Sequence, residues 1–153
     1  MIFNHYSIEQ VLAHRAPMIL LDKLVNYDTE SACCQVTIKS VSPFYQPQSR
    51  QVPAYVGIEY MAQAIAAFAG ANDLDSERDI KVGFLLGTRK YQTEVQGFTR
   101  DQQLDIHVTR LYQEESGLSV FECYIMEQER VLASAKVNVF QPANPEQFIT
   151  EQA

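Results

Sequence analysis

At 153 residues, 46% of them apolar and 20% charged, the chain has the length and balance of one domain with a sizeable core. A net charge of −7 argues against a nucleic-acid partner, because binding phosphate wants a basic field. No apolar run reaches the roughly 18–20 residues of a membrane span, and the N-terminus MIFNHYSIEQ lacks the basic flank and apolar core of a secretion signal, so a cytoplasmic location is expected.

Ser7-Ile8-Glu9-Gln10 has the form of a capping box, which opens a short helix through Leu12 to His14 and ends before Pro17. Residues 18–27, MILLDKLVNY, read as a strand, with 32–41, ACCQVTIKSV, as its neighbour. Cys33 and Cys34 would point to opposite faces of that strand, and with Cys123 they make too few cysteines for a disulfide framework. They are read as packing residues, and no metal site is expected.

A proline-rich loop, residues 42–54, leads into the most apolar stretch of the chain, VPAYVGIEYMAQAIAAFAG, residues 52–70. This reads as a helix of about five turns, begun after Pro53 and expected to be buried on its faces. Its one charged residue is Glu59, and a buried carboxylate is expensive unless something pairs or uses it. NDLDSERD after Gly70 reads as a surface loop. The remainder is β-rich, with strand character over 80–95, 103–114, 118–128 and 131–141, and turns at Glu115-Ser116-Gly117 and at 127–130. A single domain over 1–142 is expected, followed by a loose polar tail, 143–153.

A short helix, two strands, one long helix and four strands define an α+β chain. One helix cannot cover both faces of such a sheet, so an antiparallel sheet of five to six strands wrapped around the long central helix is expected. The outer face and one sheet edge then stay open for a second subunit, and a dimer or larger assembly follows.

Three segments resemble a known family. His14-Arg15-Ala16-Pro17-Met18-Ile19-Leu20-Leu21-Asp22-Lys23-Leu24 is similar to the HRxPxLLxDR segment of FabZ-type 3-hydroxyacyl-acyl-carrier-protein dehydratases. VPAYVGIEYMAQA resembles their MPGVLxxEAxAQ segment, which starts the central helix of a hotdog fold, and GFLLGTRK resembles the strand that follows. VGIEYMAQAIAA, GFLLGTRKY and VNVFQP look most like the ApeP proteins of aryl-polyene pigment clusters.

The resemblance implies a hotdog fold and dehydration of 3-hydroxyacyl chains in fatty-acid or polyketide synthesis. It implies no cofactor beyond the phosphopantetheine arm of an acyl carrier protein. In that family a histidine of one subunit and a helix carboxylate of the other form the active site. The carboxylate position matches Glu59; the histidine position, fourteen residues earlier in a GHFPG-type loop, is Tyr45 here. The resemblance therefore implies a homodimer, or a heterodimer in which a histidine-bearing FabZ-like partner completes a shared site. The alternatives are a partner subunit without chemistry of its own and a hotdog acyl thioesterase.

The chemistry needs a base for the proton beside the carbonyl and an acid for the departing hydroxyl, roles suited to imidazole and a tuned carboxyl. The backbone amides of Ala54 and Tyr55, at the start of the helix, are placed to hold an enolate-like oxygen. Glu59 has a plainer role open to it, compensating the helix dipole. Gln63 shares its face and reads as an orienting or substrate-binding partner. Tyr45 is a catalytic candidate as a phenolic proton donor where the family has its imidazole, although a phenol is a poor base at neutral pH; otherwise it fills its loop. Arg89 and Lys90 either receive the phosphate arm or the acidic carrier, or form a solvated strand end. His14 reads as structural, His107 as a strand residue, and His5 as part of a loose N-terminus.

Overall fold

The computed structural model describes residues 2–80 and 84–141. In chain order these form β1 (Ile2–Phe3), α1 (Ile8–Val11), β2 (Lys23–Tyr27), β3 (Ser31–Thr37), β4 (Gln51–Pro53), a 3-10 turn (Ala54–Val56) and α2 (Gly57–Asp75). There follow β5 (Phe84–Thr93), β6 (Gly97–Thr99), β7 (Gln103–Gln113), β8 (Leu118–Glu127) and β9 (Arg130–Phe140). The main sheet is antiparallel in the order β1-β2-β3-β7-β8-β9-β5, six full strands with the two-residue β1 at one edge. β4 and β6 pair separately as a small ribbon. No helix among the described residues is long and apolar enough to cross a membrane.

The sheet wraps around α2 as a hotdog does. Leu104, Ile106 and Val108 of β7, and Phe121, Cys123 and Ile125 of β8, alternate inward as the period of a strand requires. They meet Tyr60, Met61, Ala64, Ala67, Phe68 and Ala71 of α2 in one continuous core. Each large apolar side chain buried there stabilises the fold by about 1.5–3 kcal/mol relative to exposure. Cys34 and Cys123 lie in this core, while Cys33 faces the other way with its Sγ 3.9 Å from His107 Nε2. Burial pushes the Cys33 thiol up to about 11, a packing residue rather than a nucleophile.

Several boundaries differ from expectation, each for a physical reason. The strand expected over 18–27 begins only at Lys23, because residues 18–20 are held by a side chain instead of a ladder: Gln63 Nε2 donates to the Met18 carbonyl at 2.6 Å, and the Leu20 amide donates to Gln63 Oε1 at 2.9 Å. The strand expected over 32–41 ends at Thr37. The long helix does not stop at Gly70 but runs through the expected loop to Asp75, where Ser76 donates back to the Asn72 and Asp73 carbonyls. Polar residues extend it because each has a partner. Asn72 Nδ2 donates to the Phe68 and Asp28 carbonyls, both at 3.0 Å, and Asp75 accepts from Tyr6 and Tyr27, both at 2.6 Å. Gly70 is a packing device inside the helix, since a Cβ there would run into the Val11 carbonyl of α1.

The capping box at Ser7 forms in full: the Gln10 amide donates to Ser7 Oγ and Gln10 Oε1 accepts from the Ser7 amide. α1 is nevertheless shorter than expected, ending at Val11. The hairpin between β8 and β9 turns on Gln128-Glu129, with Gln128 at φ 54°. The expected loose tail, 143–153, lies outside the described residues.

Candidate active site

Burial along α2 is not uniform, which corrects the expectation of a helix hidden on its faces. Tyr60, Met61, Ala64, Ala67 and Phe68 face the sheet and are buried, while Ala62, Ala66 and Ala69 are only partly covered and Glu59 is exposed. Glu59, Ala62, Ala66, Ala69 and Asp73 recur at alternating steps of four and three, so they form one stripe along the helix. The curled sheet reaches one side of α2 only, and this stripe looks out of it. Glu59 is therefore not a carboxylate sunk in the core but one presented from the first turn of α2.

That stripe is the floor of a cleft of about 710 Å³, whose walls include His14, Gln63, Phe68, Arg110, Phe121 and Val139. Glu59 and Gln63 lie toward one end; Asn72, Asp73, Ser76 and Arg78 lie toward the other. By helix rise, Glu59 and Asp73 are separated by about 21 Å along the axis. Phe68 meets Phe121 edge-on at 5.5 Å between ring centroids, and the Arg110 guanidinium lies 5.5 Å over the Phe68 ring.

The other expected site residues are placed as follows. Gln63 lines the cleft, but its side chain is buried and bonded at both ends to the backbone of residues 18–20, so it anchors the HRAP segment against α2. The Ala54 amide is not free for an oxyanion, because it donates to the Gln96 carbonyl at 3.0 Å. The Ala54 carbonyl accepts from the Tyr91 hydroxyl. Tyr55 is left as the one of that pair to offer its amide, with its side chain exposed. Gly57 lets Tyr91 and Ile125 press against the start of α2, where a Cβ would collide with Tyr91 Oη.

Tyr45 is half-buried, packs on the edge of the core, and does not line the cleft with Glu59. Arg89 and Lys90 also lie away from it. Arg89 borders a separate cavity of about 240 Å³ with Lys136, its ladder partner on β9, and Lys90 occupies an irregularity in β5 with φ 54°. His14 was read as structural, yet it lines the main cleft with Nδ1 buried and unpartnered among the described residues. Asp73, Phe68, Phe121 and Arg110 were not anticipated. The spacing of the alanines was the available signal for Asp73, Phe68 reads from the sequence as a core residue, and the last two come from distant strands.

An exposed carboxylate in a cleft of mixed polar and apolar lining can deliver or accept a proton at a bound acyl chain, and the small floor residues leave room for that chain. Among the described residues no group of three metal-ligating side chains is close enough to hold an ion.

The comparisons agree with this architecture. The dehydratase heterocomplex ApeI:P from Xenorhabdus doucetiae superposes with a TM-score of 0.88 at 31% identity, over 96% of this chain and 97% of that one. The 3-hydroxyacyl-[acyl-carrier-protein] dehydratase FabZ of Staphylococcus aureus is 31% identical over 116 residues, covering 63% of this chain and 78% of the relative. The FabZ of Chlamydia muridarum is 33% identical over 89 residues, covering 55% of this chain, and the match spans 58% of that relative's length. A model of the ApeP-like family, described as ApeP dehydratase, matches residues 6–150. This chain belongs to the ApeP-like dehydratase family.

Proposed function

We propose that the protein is a dehydratase subunit acting on 3-hydroxyacyl thioesters of an acyl carrier protein, and that it gives Glu59 to an active site completed by the histidine of a hotdog partner. The observation that carries this reading is Glu59 itself, standing open at the head of the cleft with no imidazole anywhere in the loop 42–54. The likeness to a dehydratase heterocomplex over nearly the whole chain supports a partnered site. So does the edge strand β5, ten residues long with β9 as its one neighbour among the described residues, an edge suited to pairing with a second subunit.

In this mechanism the partner's imidazole takes the proton beside the thioester carbonyl. The Glu59 carboxyl protonates the hydroxyl at C3 as the C–O bond breaks, giving a 2-enoyl thioester and water. The Tyr55 amide stabilises charge on the carbonyl oxygen. Phosphopantetheine arrives with the carrier, so the chain needs no resident cofactor. Arg89 and Lys136 offer two neighbouring cations to the acidic carrier. We assign the reaction to aryl-polyene synthesis in the cytoplasm. The test mixes the protein with a histidine-bearing homologue and measures dehydration. Glu59→Gln abolishes the joint activity on this account; full retention contradicts it.

A second reading, a partner subunit without chemistry of its own, is favoured by two expected substrate contacts, the Ala54 amide and Gln63, being tied up in the protein's own backbone. It predicts a stable complex whose turnover ignores Glu59.

A further inference from the structure

Tyr91 takes no part in the proton transfers at Glu59, yet the chain brings its hydroxyl to the start of α2 by two local departures from regularity. In an unbroken strand Tyr91 would share the face of Arg89, two residues before it. β5 instead holds an extra residue between Arg89 and Gln92, whose ladder partners are Lys136 and Ser134, and Lys90 sits there at φ 54°. A bulge of this kind re-aims a side chain, and here it turns the Tyr91 ring against the core. Gly57 has no Cβ to meet Tyr91 Oη, so the hydroxyl comes up to the 3-10 turn. There it donates to the Ala54 carbonyl, which also accepts from the Gly57 amide.

The Ala54 carbonyl and the Tyr55 amide are two ends of one peptide unit. That unit is planar and trans, so its N–H points opposite to its C=O, and whatever holds the oxygen also aims the amide. A hydrogen bond accepted by the oxygen polarises the unit and strengthens its N–H as a donor. On the other side of Ala54 its own amide is fixed to the Gln96 carbonyl at 3.0 Å, which leaves the peptide little freedom to turn. Tyr55 precedes Glu59 by four residues, about one turn earlier on the same side of the helix. Burial pushes the Tyr91 hydroxyl up to about 12, so it keeps its proton near neutral pH.

Resting on the dehydratase reading, we infer that Tyr91 is a positioning residue for the thioester oxygen: through the Ala54–Tyr55 peptide it orients and polarises the amide that receives that oxygen. Tyr91 itself does not touch substrate. Its effect grows as charge develops on the carbonyl oxygen, so it falls on turnover rather than on binding.

The test compares the complex of this chain and its histidine-bearing partner with the same complex carrying Tyr91→Phe, which keeps the ring and removes the hydroxyl. kcat is expected to fall about tenfold with KM nearly unchanged, less than the roughly 10²–10³-fold loss from deleting an oxyanion donor outright. A second measurement reads the infrared carbonyl stretch of an isotope-labelled 3-hydroxyacyl-pantetheine bound to the complex in a Glu59→Gln background, where it is not turned over. Binding lowers that frequency from its free value, and Tyr91→Phe moves it back toward the free value. A loss of rate with an unchanged carbonyl frequency makes Tyr91 a support of the fold alone and overturns the inference. A rise in KM without a fall in kcat overturns it too. Equal kcat in the two complexes overturns it while leaving the dehydratase reading intact. If neither complex dehydrates its substrate, the dehydratase reading fails, and the carbonyl frequency alone supports or overturns the role of Tyr91.

Discussion

Glu59 and Asp75 sit at opposite ends of α2 and meet opposite fates. Asp75 is clamped: Tyr6 and Tyr27 each donate a hydroxyl to it at 2.6 Å, fastening the last turn of the helix to the N-terminal segment and to β2. Glu59 has no hydrogen bond or ion pair to any described residue, although it lies in the first turn, where a carboxylate also favours the helix dipole. A carboxylate held by two phenols serves the fold. One left open in a cleft is available for chemistry, and the difference separates a structural acid from a functional one.

That contrast can be broken in several ways. The largest effect is expected from Glu59→Gln in the composite enzyme, where loss of an acid–base group costs roughly 10²–10⁴-fold in turnover. Its stability, read as a urea midpoint, stays within about 0.5 kcal/mol of the parent because nothing in the fold leans on that side chain. Gly70→Ala does the reverse. The added methyl meets the Val11 carbonyl, and a loss of about 1–3 kcal/mol in unfolding free energy is expected, measured by denaturant titration.

Acid sharpens the comparison. The Tyr27 hydroxyl, and after it that of Tyr6, holds the Asp75 carboxyl below its ordinary value. A group whose folded pKa is depressed stabilises the protein above its unfolded pKa, about 4, and loses that contribution as pH falls through the lower folded value. Stability therefore declines on acidification below about pH 4, and the double variant Tyr6→Phe, Tyr27→Phe declines less steeply over the same window. Urea midpoints compared from neutral to acid pH check this; parallel declines would contradict it. The smallest effect belongs to Ser7→Ala, which removes a cap from a four-residue helix and costs about 0.5–1 kcal/mol, visible as a small drop in melting temperature.

The segments that carry dense local pattern were legible before the fold was seen. Alternation marked β7, β8 and β9 to within a residue or so, and Glu59 was identifiable as the one charged residue of the apolar stretch 52–70. What escaped depended on partners distant in sequence. Residues 18–20 look like strand, but Gln63, more than forty residues on, takes their backbone groups. Asn72 and Asp75 look like loop formers until Asp28, Tyr6 and Tyr27 are brought to them. The ribbon of β4 and β6 is three residues a side, too short for any period to show. Hydropathy also misjudged Glu59: alanines facing a sheet and alanines facing an open cleft read alike, so the stripe from Glu59 to Asp73 was visible only as spacing.

The most direct measurement assembles this protein with a histidine-bearing partner whose own helix carboxylate has been neutralised, so that Glu59 is the only such acid in the complex. Dehydration of a 3-hydroxyacyl carrier thioester by that assembly, lost again when Glu59→Gln is introduced, is the predicted result. A well-formed complex that produces no enoyl thioester would contradict a catalytic role for Glu59.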